Sequence, residues 1–351
     1  MTTVYLHIGM PKCASSALQS FMHKNDNLHR TEGLCYPISS RENSGYFSHR
    51  PLHKISTAEV PAAIRKIADE AEREGCKKIL ISSEEFMNSQ WDREITGNVI
   101  DALNNQFGTE RVRIMILFRN HFPFAESVYA QYLKGGMFRT PNQAFIKSDN
   151  SGIVGFASNF RQRNGFDFFS YSSFIEKIRT HAPFNPFDLL STEREDWNGK
   201  DIIDVICKKF GISRGNPDLA PNERYSEIAL HLLHYSRRAY GFDQTRQRRG
   251  IIAKLFPPEN RKFSRLLHVN GDLYEQIVTA SEQDRKYFMR NTVEPCKNLF
   301  NTPAIYESQH NQEDELLVPE WCLKLVDQIM QPDSMSLKHA KELMSSLEGH
   351  A

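Results

Sequence analysis

The chain has 351 residues, of which 40% are hydrophobic and 25% charged, with a formal net charge of +1. That is enough chain for one large core or two modest ones, and so small a net charge excludes a protein that binds polyanions with its whole surface. The six cysteines stand far apart without a CxxC pair, which argues against a zinc site or a disulfide framework and for free thiols in a reducing compartment. The first residues pass straight into a strand, with neither a basic nor an apolar leader. The apolar run Ile114–Phe118 is far too short to cross a bilayer, so a cytoplasmic protein is expected.

In chain order, Val4–Ile8 reads as a buried strand, followed by a tight Gly/Pro turn and a helix from Ser15 to about Lys24. Residues 35–55 are irregular and form a candidate lid or acceptor loop. A helix over Ala58–Glu74 starts after Ser56-Thr57 and stops at Gly75. The strand Lys78–Ser82 comes next, then a helix near Arg93–Phe107, the strand Arg113–Phe118 and a helix over Phe124–Lys134. Residues 138–155 form a second irregular loop, and Phe166–Ser170 is expected to be a fourth strand. Beyond Tyr171 the pattern is mainly helical, with candidates at Gly199–Phe210, Glu223–Arg238, Gly271–Thr279, Pro319–Met330 and Leu337–Leu347. Strands alternating with helices predict an α/β fold, a parallel sheet flanked by helices with a helical C-terminal extension. The expected division is one domain over residues 1–306 and a helical tail over 307–351. Within that domain, residues 236–265 form a basic helical insert, with nine basic residues against two acids. Such a run is either a solvated helical face or a patch that steers an anionic acceptor.

The chemistry concentrates in the first turn. Gly9-Met10-Pro11-Lys12-Cys13-Ala14 joins a strand to a helix opened by Ser15 and Ser16. Free N–H groups at a helix start, the positive end of the helix dipole and a nearby lysine make an anion cradle. The nucleotide triphosphatase pattern GxxxxGK[ST] does not fit. Gly9 precedes Lys12 by only three residues, and the hydroxyls follow the lysine by three and four. The Arg113 strand runs into Arg119 rather than an acid that could hold magnesium. A kinase-like enzyme is therefore disfavoured.

Pro11-Lys12-Cys13-Ala14-Ser15-Ser16 instead resembles the 5′-phosphosulfate loop, PKxGT[ST], of the PAPS-dependent sulfotransferases, with alanine for the usual glycine and serine for threonine. Arg119 at a strand end, with Ser127 eight residues on, looks like the 3′-phosphate site of the same family. An arginine fork and a hydroxyl suit a phosphate dianion. Phe166–Ser170 with Tyr171 resembles the strand whose end carries the adenine-contacting tyrosine. Asn198–Ile212, Pro221–Ser226 and the Phe288–Asn291 region resemble the C-terminal half of bacterial, carbohydrate-related members.

The resemblance spans most of residues 3–305 and implies a P-loop-NTPase-like sheet. It also implies PAPS as sulfate donor, PAP as product, no metal, and a hydroxyl-bearing acceptor such as a glycan or glycolipid. Lys12 would stabilise the leaving group, while Ser15, Ser16 and the loop N–H groups hold the 5′-phosphate. Two candidates for a general base stand out: Glu84, just past the Lys78 strand, and His49, in the loop after the first helix. A non-catalytic nucleotide- or glycan-binding member of the fold is the alternative. No nucleic-acid module accompanies the basic segment.

Overall fold

Five short runs of largely apolar residues pair side by side into a single all-parallel sheet in the order β2-β3-β1-β4-β5. A computed structural model describes residues 1–90, 95–138, 152–216, 225–257, 271–309, 318–331 and 335–349. The chain runs β1 (Thr3–His7), α1 (Ser15–Lys24), α2 (Asp26–Thr31), β2 (Leu34–Cys35), α3 (Val60–Arg73), β3 (Lys78–Ser82), α4 (Ile95–Phe107) and β4 (Val112–Phe118). It continues through α5 (His121–Gly135), α6 (Gly152–Asn164), α7 (Tyr171–Arg179), β5 (Phe187–Ser191) and α8 (Ile202–Phe210). The remaining described elements are helical: α9 (Glu227–Tyr240), α10 (Phe242–Leu255), α11 (Gly271–Asn291), α12 (Ala304–Gln309), α13 (Glu320–Ile329) and α14 (Leu337–Gly349).

The chain divides into two compact units. The first, residues 1–124, 169–220 and 279–301, holds the whole sheet. β1, β3 and β4 are buried along most of their length, as expected of parallel strands covered by helices. In α3, Val60, Ile64, Ile67 and Ala71 form the buried face. Its lead-in turn closes with a capping box in which Glu59 accepts from the Ser56 N–H at 2.8 Å and the Ser56 hydroxyl at 2.7 Å. The second unit, residues 125–168, 221–278 and 302–351, is built on α9, α10, α13 and α14 around a core that includes Leu232, Leu233, Ile252, Phe256, Leu325 and Ile329. The last part of the chain is thus one wall of that core. No helix among the described residues is long and apolar enough to cross a membrane.

Two strand expectations need correction. Phe166–Ser170 is a turn-rich connection, and its Phe168 ring packs on Phe156 at 5.1 Å between centroids. The strand beside β4 is instead Phe187–Ser191. Its second residue, Asp188, is buried, and its charge is met by a two-pronged ion pair from Arg113 of β4 at 2.7 and 2.8 Å and by Lys209 at 2.9 Å. The two-residue β2 is also missing from the sequence reading. Several expected features lie partly outside the described residues: most of the 138–155 loop, residues 258–265 of the basic insert, the helix starts at Arg93 and Glu223, and part of the 307–351 tail.

Candidate functional site

β1 and β4 are neighbours, yet the chain leaves β1 toward β2 and leaves β4 toward β5 on the opposite side. In open parallel sheets the ligand crevice lies at such a reversal, beyond the carboxyl ends of the strands. The residues that converge there all belong to the first unit.

The turn after β1 is wound tightly. Gly9, Lys12 and Ala14 take positive φ of 56°, 64° and 63°, and the Cys13 N–H closes back on the Met10 carbonyl at 3.3 Å. Left-handed backbone at a lysine and an alanine costs about 1–2 kcal/mol per residue, a strain that persists where the surroundings over-determine it. Ala14 stands at the N-cap of α1 and offers no capping side chain, so the helix start keeps its donors. Ser15 is 2% exposed, and its hydroxyl oxygen has no hydrogen-bond partner. An uncapped helix start with a buried, unpartnered hydroxyl suits an oxyanion. Gly9 keeps the space open: a Cβ there would sit 3.0 Å from Ser15 Oγ and 3.4 Å from Cα and Cγ of Glu84.

Glu84 opens the short turn that follows β3 and lies across from the loop. Burial raises its pKa, Lys12 opposes that rise and Glu85 adds to it. Burial lowers the Lys12 pKa, with Glu84 opposing and Arg119 reinforcing the drop. Lysine, carboxyl and arginine therefore share one electrostatic neighbourhood. The Arg119 backbone is held on both sides: its N–H donates to the buried Cys13 sulfur, and its carbonyl accepts from the Tyr171 hydroxyl at 2.5 Å.

No family model and no curated protein matches this chain.

Lys12, Ser15, Glu84 and Arg119 gather at the crevice. Pro11, Cys13 and Ser16 lie in the same turn and helix start. Ser127 is carried by α5, half-buried, in the stretch that belongs to the second unit. His49 does not qualify as a base. It is fully buried, its Nδ1 accepts from the Ser82 N–H at 3.1 Å, and its Nε2 faces the Pro37 carbonyl at 3.1 Å. With both nitrogens engaged and burial lowering its pKa to about 4, it is a neutral brace between the loop and β3. Tyr171 also changes role. It opens α7 instead of closing a strand, and its ring is fully buried against Phe118, His121 and Phe124 at 4.8, 4.2 and 5.3 Å. No face is left for a purine, so it serves as the post under Arg119.

Two carboxylates escape sequence reasoning. Glu193, just past β5, accepts the Asn120 N–H at 2.8 Å. Burial raises its pKa, while Asn120 and Arg119 hold it back. Asp284, on α11, binds His121 Nε2 at 2.8 Å and accepts the N–H groups of Tyr171 and Ser172 at 2.7 and 2.8 Å. It ties the start of α5 to the start of α7. A third, smaller network underlies β1: Gln19 donates to the Ser82 hydroxyl at 3.1 Å, which leaves that hydroxyl to donate to His7 Nδ1 at 2.7 Å.

Proposed function

We propose that the protein is a sulfotransferase that moves a sulfuryl group from PAPS to an acceptor hydroxyl, that of a carbohydrate or glycoconjugate. What carries the reading is the convergence of two cations, Lys12 from the turn after β1 and Arg119 from the end of β4, near a helix start whose Ser15 hydroxyl is buried without a partner. A P-loop-NTPase-like identity for the sheet belongs to the same proposal, supported by the strand order and by the uncapped helix start directly after the central strand.

In this reading the Pro11–Ser16 turn holds the 5′-phosphosulfate and Arg119 holds the 3′-phosphate. When bound, the donor supplies an activated sulfuryl group. Lys12 offers positive charge where negative charge grows on the leaving oxygen, the largest contribution a protein makes to in-line transfer. Glu84, with its pKa raised by burial, accepts the proton of the acceptor hydroxyl. Tyr171 and Cys13 fix the Arg119 backbone so that its fork is delivered in one direction.

Calorimetry with 3′-phosphoadenosine 5′-phosphate against 5′-AMP tests the donor half. The 3′-phosphorylated nucleotide should bind far more tightly, with Lys12→Ala and Arg119→Ala each weakening it. Absence of binding, or equal binding of the two nucleotides, sinks the reading. A radiolabelled-sulfate transfer screen against glycans, lipids and small alcohols tests the acceptor half, with Lys12→Ala as blank.

A further inference from the structure

Arg237 lies in the last turn of α9, in the second unit, and is 1% exposed. None of its Nε, Nη1 and Nη2 atoms has a partner in full hydrogen-bond geometry, although the Tyr132 hydroxyl comes close enough to act on it as a weak acceptor. The guanidinium lies over the Phe242 ring at 4.1 Å and the Tyr132 ring at 5.3 Å. Burial lowers its pKa to about 10, which still leaves it charged in neutral water. The groups that act on it most strongly are the Tyr132 and Tyr129 hydroxyls and a second cation, Arg249; no carboxylate is among them.

Buried arginines are ordinarily forked onto a carboxylate or phosphate, because taking an unpaired charge out of water is expensive. Two aromatic faces soften the charge. Neither gives the in-plane donors an acceptor. Arg249, whose Nη1 donates to the Lys134 carbonyl, adds positive charge nearby instead of removing it. A planar fork walled by rings and flanked by a second guanidinium is the chemistry that recognises a compact oxyanion.

We propose that Arg237 is the base of a binding site in the second unit for a single oxyanion, a carboxylate, sulfate or phosphate group, gripped edge-on between the Tyr132 and Phe242 rings. The site is independent of the donor crevice: it would exist whether or not the first unit binds PAPS.

The test is thermal unfolding of the full chain at constant ionic strength while sulfate, phosphate or glucuronate is titrated separately against chloride. Wild type should show a saturable rise in Tm with at least one of them. The anion that saturates at the lowest concentration tells a carboxylate site from a tetrahedral one. On a Lys12→Ala, Arg119→Ala background, which removes the cations of the donor crevice and leaves the saturable rise of the second unit, Arg237→Met should show no saturable rise, and Arg237→Lys, which keeps the charge but loses the fork, should need about tenfold more anion. No saturable shift in wild type, or the same midpoint in Arg237→Met, would overturn the proposal, since general salting effects act on both proteins alike. If Arg237→Met does not fold, the Nε–H resonance of Arg237 in wild type decides: a saturable shift with anion supports the site, and an unmoved signal refutes it.

Discussion

Lys12 and Glu84 oppose each other across the ends of β1 and β3. Burial pushes both toward their neutral forms, and each holds the other charged. Glu84→Gln should therefore lower the Lys12 pKa further, because the opposing carboxylate is gone while the burial remains. Selective amine labelling of Lys12 as a function of pH reads this directly; an unchanged midpoint would mean that the two groups are not coupled.

The same pair sets an activity prediction. If Glu84 is the base, transfer should fall on the acid side with an apparent pKa above the 4.5 of a free glutamate, since burial is the main influence on it. Glu84→Gln should lower turnover by about 10²–10⁴-fold with little change in nucleotide affinity. A variant that loses affinity but keeps turnover would assign Glu84 to binding instead.

Gly9 and Ala14 offer opposite backbone tests. Gly9→Ala places a Cβ in the left-handed region and 3.0 Å from Ser15 Oγ. It should cost about 1–2 kcal/mol of stability and weaken nucleotide binding by about tenfold or more. Ala14→Gly relieves a left-handed Cβ at φ 63° and should stabilise by about 0.5–1 kcal/mol once glycine's added chain entropy is subtracted. Denaturant midpoints for the two variants should move in opposite directions.

Acid stability follows from buried histidines. Burial holds His7 at about 3 and His49 at about 4, both below the ordinary imidazole value of 6.5. As pH falls, the unfolded chain takes up these protons first. Stability is fully present above about 6.5 and is lost as pH drops toward 4. His49→Ala should flatten that decline, cost about 2–4 kcal/mol at neutral pH through a cavity and an orphaned Ser82 N–H, and leave turnover per folded molecule unchanged. A turnover collapse in soundly folded His49→Ala would restore it as the base.

Much of the crevice could be read locally. The β1 strand, its Pro11–Ser16 turn and α1 are contiguous, and β3 and β4 carry plain apolar runs, so Lys12, Glu84 and Arg119 fall on strand ends by counting alone. What stayed hidden depends on distant partners. Phe187–Ser191 contains an acid that is tolerable inside a sheet only because Arg113 and Lys209 reach it, and neither is a neighbour in sequence. The aromatic run at 166–170 is five residues long, too short for periodicity to tell strand from turn. Asp284 lies 113 residues from the Tyr171 N–H it accepts, so no local pattern could have announced it. His49 misled because a loop histidine shows nothing in sequence of the two backbone groups that consume it.

The split of the first unit into three chain stretches bears on how the protein is made. All five strands are present once residue 191 has been synthesised, yet Asp284, which anchors His121 and Tyr171, arrives almost a hundred residues later, in the stretch that completes the unit at Asn301. On the ribosome the sheet must therefore wait with the starts of α5 and α7 unsecured while residues 221–278 of the second unit emerge. Truncated nascent chains ending before residue 279 should be protease-sensitive at both helix starts, and those extending past residue 301 should be protected.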